Sequence, residues 1–153
     1  MLIKLFKICL QKLRNLVLGD FRSKKLSHLI VKKINKYNKK KSITILDYGT
    51  GYQPKVVHFV YESLVKTYKK KILVDCYDFY SKKDLKKLNN HKNKNINFYN
   101  INSILKNKKK YDFCLINDVI HHIGIEKEKI IIKILDNLIN ISKIVFIKDH
   151  FQQ

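Results

Sequence analysis

Short apolar runs alternate with amphipathic stretches along most of this chain. Five runs of strand length, rich in isoleucine, valine and aromatic residues, cover residues 43–47, 72–78, 96–100, 111–118 and 142–150. Helical spacing between them predicts helices over residues 54–70 and 125–140. Because strands and helices alternate, we expect an α/β fold with an open, mostly parallel sheet of about five strands and flanking helices.

Two N-terminal helices are predicted before the first strand. The second covers about residues 23–37, and the first has apolar residues at helical spacing, namely Leu2, Phe6, Cys9, Leu13 and Leu16. Lysines are interleaved with them, so the first helix could also lie on a membrane surface. We favour the other role, in which residues 1–40 form a basic helical segment that packs on a core of residues 41–153.

The first strand ends in a glycine turn. Asp47 is followed by Gly49 and Gly51, and Pro54 stands three residues further on. Glycine tolerates positive φ and lets the backbone approach a ligand closely, and proline suits the first turn of a helix. A strand, a tight turn and a helix start together predict a ligand-binding corner at the carboxyl end of a parallel sheet.

Two segments carry a resemblance to a known family. The dinucleotide-binding fingerprint would need a third glycine where Pro54 stands. Asp47-x-Gly49-x-Gly51 instead resembles motif I of the class I S-adenosylmethionine (SAM)-dependent methyltransferases, although the third glycine common in that family is Gln53 here. The segment from Tyr111 to Ile123 resembles the fourth strand of the same family. The resemblance extends over residues 43–150 and implies a Rossmann-like fold.

The resemblance implies that SAM is the cofactor. Asp78, or alternatively Asp75, would accept hydrogen bonds from the ribose hydroxyls, since a carboxylate offers two oxygens. Phe79 would lie against the adenine, and the Asn102 amide near its amino group. The implied cofactor-binding residues, expected around a single crevice, are Asp47, Gly49, Thr50, Gly51, Asp78, Phe79, Asn102 and Asn117.

The reaction that the resemblance implies is methyl transfer to an oxygen, nitrogen or carbon nucleophile. Holding donor and acceptor in near-attack geometry can supply roughly 7–11 kcal/mol of catalysis. A base is needed only where the acceptor must lose a proton, and Asp118, His121 and His122 are the candidates. Adjacent side chains point differently, so one histidine at most should face the substrate, and a purely structural histidine is the alternative.

The sequence ends three residues after the fifth predicted strand. The full family fold has two more strands, so we expect a truncated methyltransferase core. The fifth strand would then be an exposed edge, which favours self-association. A catalytically inactive binding module that acts through its basic surface is the alternative function.

The composition changes this picture little. The formal net charge is +21, but the cations are nearly all lysines, which accompany abundant isoleucine and asparagine. We therefore favour a small-molecule acceptor over RNA. The three cysteines, Cys9, Cys76 and Cys114, lack metal-ligand spacing, so no metal site is expected and a reduced, cytoplasmic protein is predicted. No apolar run is long enough for a transmembrane segment.

Overall fold

A computed structural model describes residues 21–52, 54–90, 93–106, 108–124 and 127–149. The first predicted helix, Gln53 and His150 lie outside these residues. The described elements, in chain order, are α1 (residues 21–37), β1 (Ser42–Tyr48), α2 (Lys55–Lys66), β2 (Lys71–Asp78), α3 (Lys82–Asn89), β3 (Ile96–Asn100), a 3-10 helix η1 (Ile101–Lys106), β4 (Tyr111–Asn117), α4 (Ile120–Ile123), α5 (Glu128–Ile141) and β5 (Ser142–Lys148).

The five strands form one parallel sheet in the order β3-β2-β1-β4-β5. The predicted α/β fold with a parallel five-stranded sheet is confirmed. From β1 the chain moves outward to β2 and β3, and then returns to the other side of β1 for β4 and β5. The connection order therefore reverses between β1 and β4, and ligands of such sheets bind beside this point, at the carboxyl ends of the strands.

Helices cover both faces of the sheet, so the central strands are apolar on both sides. Ile43 and Ile45 of β1 pack in one cluster with Ile30 and Ile34 of α1 and with side chains of α2 and α3. Leu46 and Tyr48, which point to the opposite face, pack with η1 and α5. Helix α1 thus contributes directly to the core of the described part of the chain.

Helix α3 was not predicted from the sequence. Its eight residues are mostly lysine, asparagine and aspartate, and none of its side chains is fully buried. A capping box begins the helix, in which Ser81 and Asp84 each accept a hydrogen bond from the other's backbone N–H. Polar capping at the amino end marks this helix in the sequence, and its two leucines, Leu85 and Leu88, pack against the core.

The two cysteines in the described part of the chain are buried in strands. Cys76 lies in β2 and Cys114 in β4, and neither forms a disulfide. Burial raises the pKa of both thiols, so they are inert core residues. The helices that the structure describes include none with the length and apolar character needed to cross a membrane.

Candidate active site

The glycine turn after β1 lies at the carboxyl edge of the sheet, beside the end of β2. Gly49 and Gly51 both have positive φ, +77° and +72°, and the Gly49 N–H donates to the Tyr77 carbonyl at 2.8 Å. A Cβ atom on Gly49 would lie 2.3 Å from Val119 Cγ2, whereas one on Gly51 would meet no described atom within 4 Å. The absence of a side chain at Gly49 therefore allows the loop after β4 to pack against the turn. The absence of one at Gly51 leaves the backbone of the turn open to a ligand.

Asp78, at the end of β2, holds the open side of this turn. Its Oδ2 accepts a hydrogen bond from the Gly51 N–H at 2.6 Å, and its Oδ1 accepts one from the Phe79 N–H at 2.6 Å. The Tyr80 hydroxyl donates to the Gly51 carbonyl at 2.6 Å. Each carboxylate oxygen retains a lone-pair site, so Asp78 can still accept a hydrogen bond from a ligand hydroxyl.

Asp75, the alternative ribose ligand, lies on the other side of β2 in a buried network. It is 1% exposed and accepts hydrogen bonds from Lys109 Nζ at 2.5 Å and the Tyr111 hydroxyl at 2.8 Å. The Asn97 amide completes the set at 3.3 Å. The geometry therefore favours Asp78 over Asp75 as a ligand-binding acid.

A cavity of about 590 Å³ is lined by Phe79, the residue that follows Asp78. One wall is formed by Tyr48, Phe79, Ile101 and Asn102, at the ends of β1, β2 and β3. The other wall is formed by α5, with Lys129, Ile130, Lys133, Ile134 and Asn137 among its lining residues. Phe79 is 73% exposed, so its ring is available to a ligand. The structure thus places Phe79 and Asn102 in one cavity, whose lining includes neither Asp78 nor Gly51.

Asp47, directly before the turn, is buried beneath it. Only 7% of Asp47 is exposed. Burial raises the pKa of its carboxyl to about 7; a hydrogen bond with Thr50 lowers it, and the Asp78 charge raises it further. The Thr50 hydroxyl also donates to the Asp47 carbonyl at 3.0 Å. Asp47 and Thr50 therefore stabilise the conformation of the turn on its buried side.

The polar residues at the end of β4, Asn117 and Asp118, have different surroundings. Asn117 lines a second cavity of about 170 Å³ between α1 and β5, and its buried Oδ1 has no partner among the described residues. Asp118 has a left-handed backbone, with φ +55°, and its carboxylate is paired with the Lys148 ammonium. Both residues lie at the same sheet edge as Gly51, but Asn117 does not line the cavity that contains Phe79.

His121 is held by Asp149, a residue that the sequence did not single out for the site. Its Nδ1 lies 2.5 Å from Asp149 Oδ1, within hydrogen-bonding distance, and the Asp149 side chain is 2% exposed. The His122 ring lies against that of His121, with ring centroids 3.9 Å apart. The register pairs Asn117 with Lys148, which brings the residues after β4 and β5 together. That pairing is the one feature from which this contact could have been expected.

Solved structures with the same fold are methyltransferases. The plantazolicin methyltransferase BpumL, in complex with a monoazolic desmethylPZN analog and SAH, matches with a TM-score of 0.58 and 20% identity over 89% of this chain and 49% of that chain. The plantazolicin methyltransferase BamL, in complex with a triazolic desmethylPZN analog and SAH, matches with a TM-score of 0.52 and 22% identity. This match covers 80% of the chain and 42% of BamL.

This chain has the Rossmann-like fold of these methyltransferases. It spans less than half the length of either enzyme. No protein-family model matches the sequence, and no curated protein does so either. At this level of identity the likeness establishes the fold, and the activity has to be argued from the chain's own residues.

Proposed function

We propose that this chain binds SAM and forms the cofactor-binding core of a methyltransferase. The observation that carries the proposal is the hydrogen bond between the Asp78 carboxylate and the Gly51 N–H. It joins an acid at the end of β2 to an open glycine turn at the end of β1, at the carboxyl edge of the sheet, and the next residue, Phe79, lines a cavity. The SAH in the complexes of BpumL and BamL supports the choice of cofactor.

The residues present fit an adenosyl group. Asp78 has acceptor sites left for ribose hydroxyls, and the exposed Phe79 ring offers a stacking surface for a base. Asn102, exposed in the same cavity, carries an amide that can pair with the edge of the adenine. Pockets for small ligands measure about 300–1,000 Å³, and this cavity of about 590 Å³ falls within that range.

The chain's own contribution to catalysis would be placement. When bound, SAM supplies a methyl group on a positively charged sulfur, which leaves as a neutral thioether. The backbone of Gly51 forms the open part of the turn, and the segment beginning at Asp118 packs against the turn through Val119. These two segments would orient the donor and the acceptor. Asp118 is paired with Lys148, which leaves the two histidines as the candidate bases.

The proposed acceptor is a small molecule. The wall of the large cavity formed by α5 combines isoleucine with lysine and asparagine side chains, a surface suited to an amphipathic ligand. RNA is the less favoured acceptor, since the positive charge comes almost entirely from lysine. The buried, unpaired thiols of Cys76 and Cys114 support a cytoplasmic location.

Calorimetric titration with SAM tests the cofactor proposal. The variant Phe79→Ala should weaken binding by about 5- to 150-fold, since base–aromatic stacking contributes about 1–3 kcal/mol. Because Phe79 is 73% exposed, its removal should leave the fold intact. Tyr68→Ala is the matched control, as Tyr68 is 45% exposed and lies before β2, at the opposite edge of the sheet. Equal affinities for the two variants would contradict the assigned adenine site, and a folded wild-type chain that binds no SAM would favour the inactive binding module.

A further inference from the structure

Asp149 is a buried carboxylate whose two oxygens have separate tasks. Its Oδ2 accepts the backbone N–H groups of Val119, Ile120 and His121 at 3.2, 2.6 and 3.4 Å, where the short helix α4 begins. Its Oδ1 accepts the His121 ring N–H at 2.5 Å. A cap for the helix would need only Oδ2, so the contact with the imidazole is an additional feature of this residue.

The contact fixes which ring nitrogen of His121 carries the proton. An ionised carboxylate can only accept hydrogen bonds, so Nδ1 must be protonated when it bonds to Asp149. The neutral ring then has its lone pair on Nε2, on the side away from Asp149. The His121 side chain is 33% exposed, so a ligand can reach it.

The same carboxylate places His121 beside the glycine turn. Val119 Cγ2 fills the space that a Cβ on Gly49 would occupy. Since Asp149 holds the backbone of Val119 and of the next two residues, it fixes this segment against the turn. His121 is therefore at the sheet edge to which we assign the cofactor, and Asp118, the residue before Val119, is already paired with Lys148.

We propose that Asp149 is a positioning residue that holds His121 with Nε2 free to accept a proton, and that the methyl acceptor is a hydroxyl or N–H group. This inference rests on the proposed function. In the proton-transfer step the O–H or N–H bond of the acceptor breaks, and its electron pair stays on the acceptor atom. The proton binds His121 Nε2 and passes from there to water. An acceptor without an ionisable proton would need no such histidine.

The variant Asp149→Asn separates this role from capping. Three backbone N–H groups require an acceptor at the position of Oδ2, so the asparagine carbonyl should take that position and present its NH₂ to His121. Nδ1 would then accept, and the proton would move to Nε2. The helix cap is retained while the tautomer of His121 is reversed.

Long-range ¹H–¹⁵N NMR of the full chain, at a pH high enough to keep its histidines neutral, measures the tautomer directly. We expect His121 with the proton on Nδ1 in the wild type and on Nε2 in Asp149→Asn. His28, exposed on α1, serves as the internal reference and should be the same in both proteins. A wild-type His121 protonated on Nε2, or a spectrum that the substitution leaves unchanged, would overturn the proposal.

Chemical modification gives a second readout that helix capping alone would not change. Diethyl pyrocarbonate acylates the unprotonated imidazole nitrogen, so His121 should react about tenfold or more slowly in Asp149→Asn, while His28 reacts at the same rate. Equal rates for His121 in the two proteins would contradict a free Nε2. Neither readout uses SAM, so a wild-type chain that shows the expected tautomer but binds no cofactor would refute the proposed function alone.

Discussion

At the scale of the residue, the site is built around carboxylates in three different environments. Asp78 lies at the open side of the glycine turn and accepts two backbone N–H groups. Asp149 is buried and satisfied by a histidine and the start of a helix. Asp47 is buried beneath the turn, and burial raises the pKa of its carboxyl. The same chemical group therefore has a different set of partners according to its surroundings, which also determine its protonation.

The buried carboxyl of Asp47 predicts a stability that falls as the pH rises. Its pKa is about 7 in the folded chain and about 4 when unfolded, so the folded state binds more protons between these values. Ionisation of this buried carboxyl lowers the free energy of unfolding increasingly as the pH rises from about 4 to about 7, by at most on the order of 4 kcal/mol. Asp47→Asn should therefore stabilise the chain at pH 8 and have little effect at pH 4.

Urea unfolding at the two pH values measures this difference. Asp136→Asn is the control, since Asp136 is exposed on α5 whereas Asp47 is buried. A variant Asp47→Asn whose free energy of unfolding follows the wild type at both pH values would show that Asp47 ionises normally in the folded chain.

At the scale of the element, the sequence predicts most of the sheet but not its contacts. All five strands were predicted because each is a compact apolar run that lies between polar segments, and the glycine turn marks its own position by Gly49 and Gly51. Helix α2 ends at Lys66 and α5 begins at Glu128, each a few residues inside the predicted bounds. Such ends depend on caps and loops, which the apolar pattern does not encode.

The direction of a side chain at a strand end is harder to predict than the strand itself. Asn117 shares a sheet face with Phe113 and Leu115 by simple alternation, and it therefore points toward α1. The contact between His121 and Asp149 joins residues 28 positions apart. It depends on the pairing of β4 with β5, so it appears only once the register is known.

Strand β5 should promote self-association through its outer edge. In the described part of the chain it pairs with β4 alone, and Ile147 is 50% exposed on it. An unpaired strand edge with exposed apolar side chains favours pairing with another chain. We expect light scattering to show a mass that rises with concentration, and Ile147→Lys should reduce this rise.

Ile139→Lys provides the matched control for that experiment. Ile139 is 57% exposed but lies on helix α5 and not on the edge strand itself. A wild-type chain that remains monomeric at every concentration would contradict self-association, and equal effects of the two substitutions would show that the edge strand is not the contact.

At the scale of the whole molecule, both proposals depend on a single edge of the sheet. The turn after β1, the acid after β2 and the segment after β4 meet at the switch point, where parallel sheets bind their ligands. The second cavity, between α1 and β5, lies to one side of this point and is lined mainly by apolar residues.

The most direct test of this account is a ¹H–¹⁵N NMR titration of the full chain with SAM. We expect saturable shifts concentrated on the backbone amides of Gly49, Gly51, Phe79 and Asn102, at the carboxyl edge of the sheet. Amides of α1 near Leu26, which line the second cavity, should remain unchanged. A well-dispersed spectrum that SAM does not alter, or shifts confined to the second cavity, would contradict the assignment of this chain as a methyltransferase cofactor core.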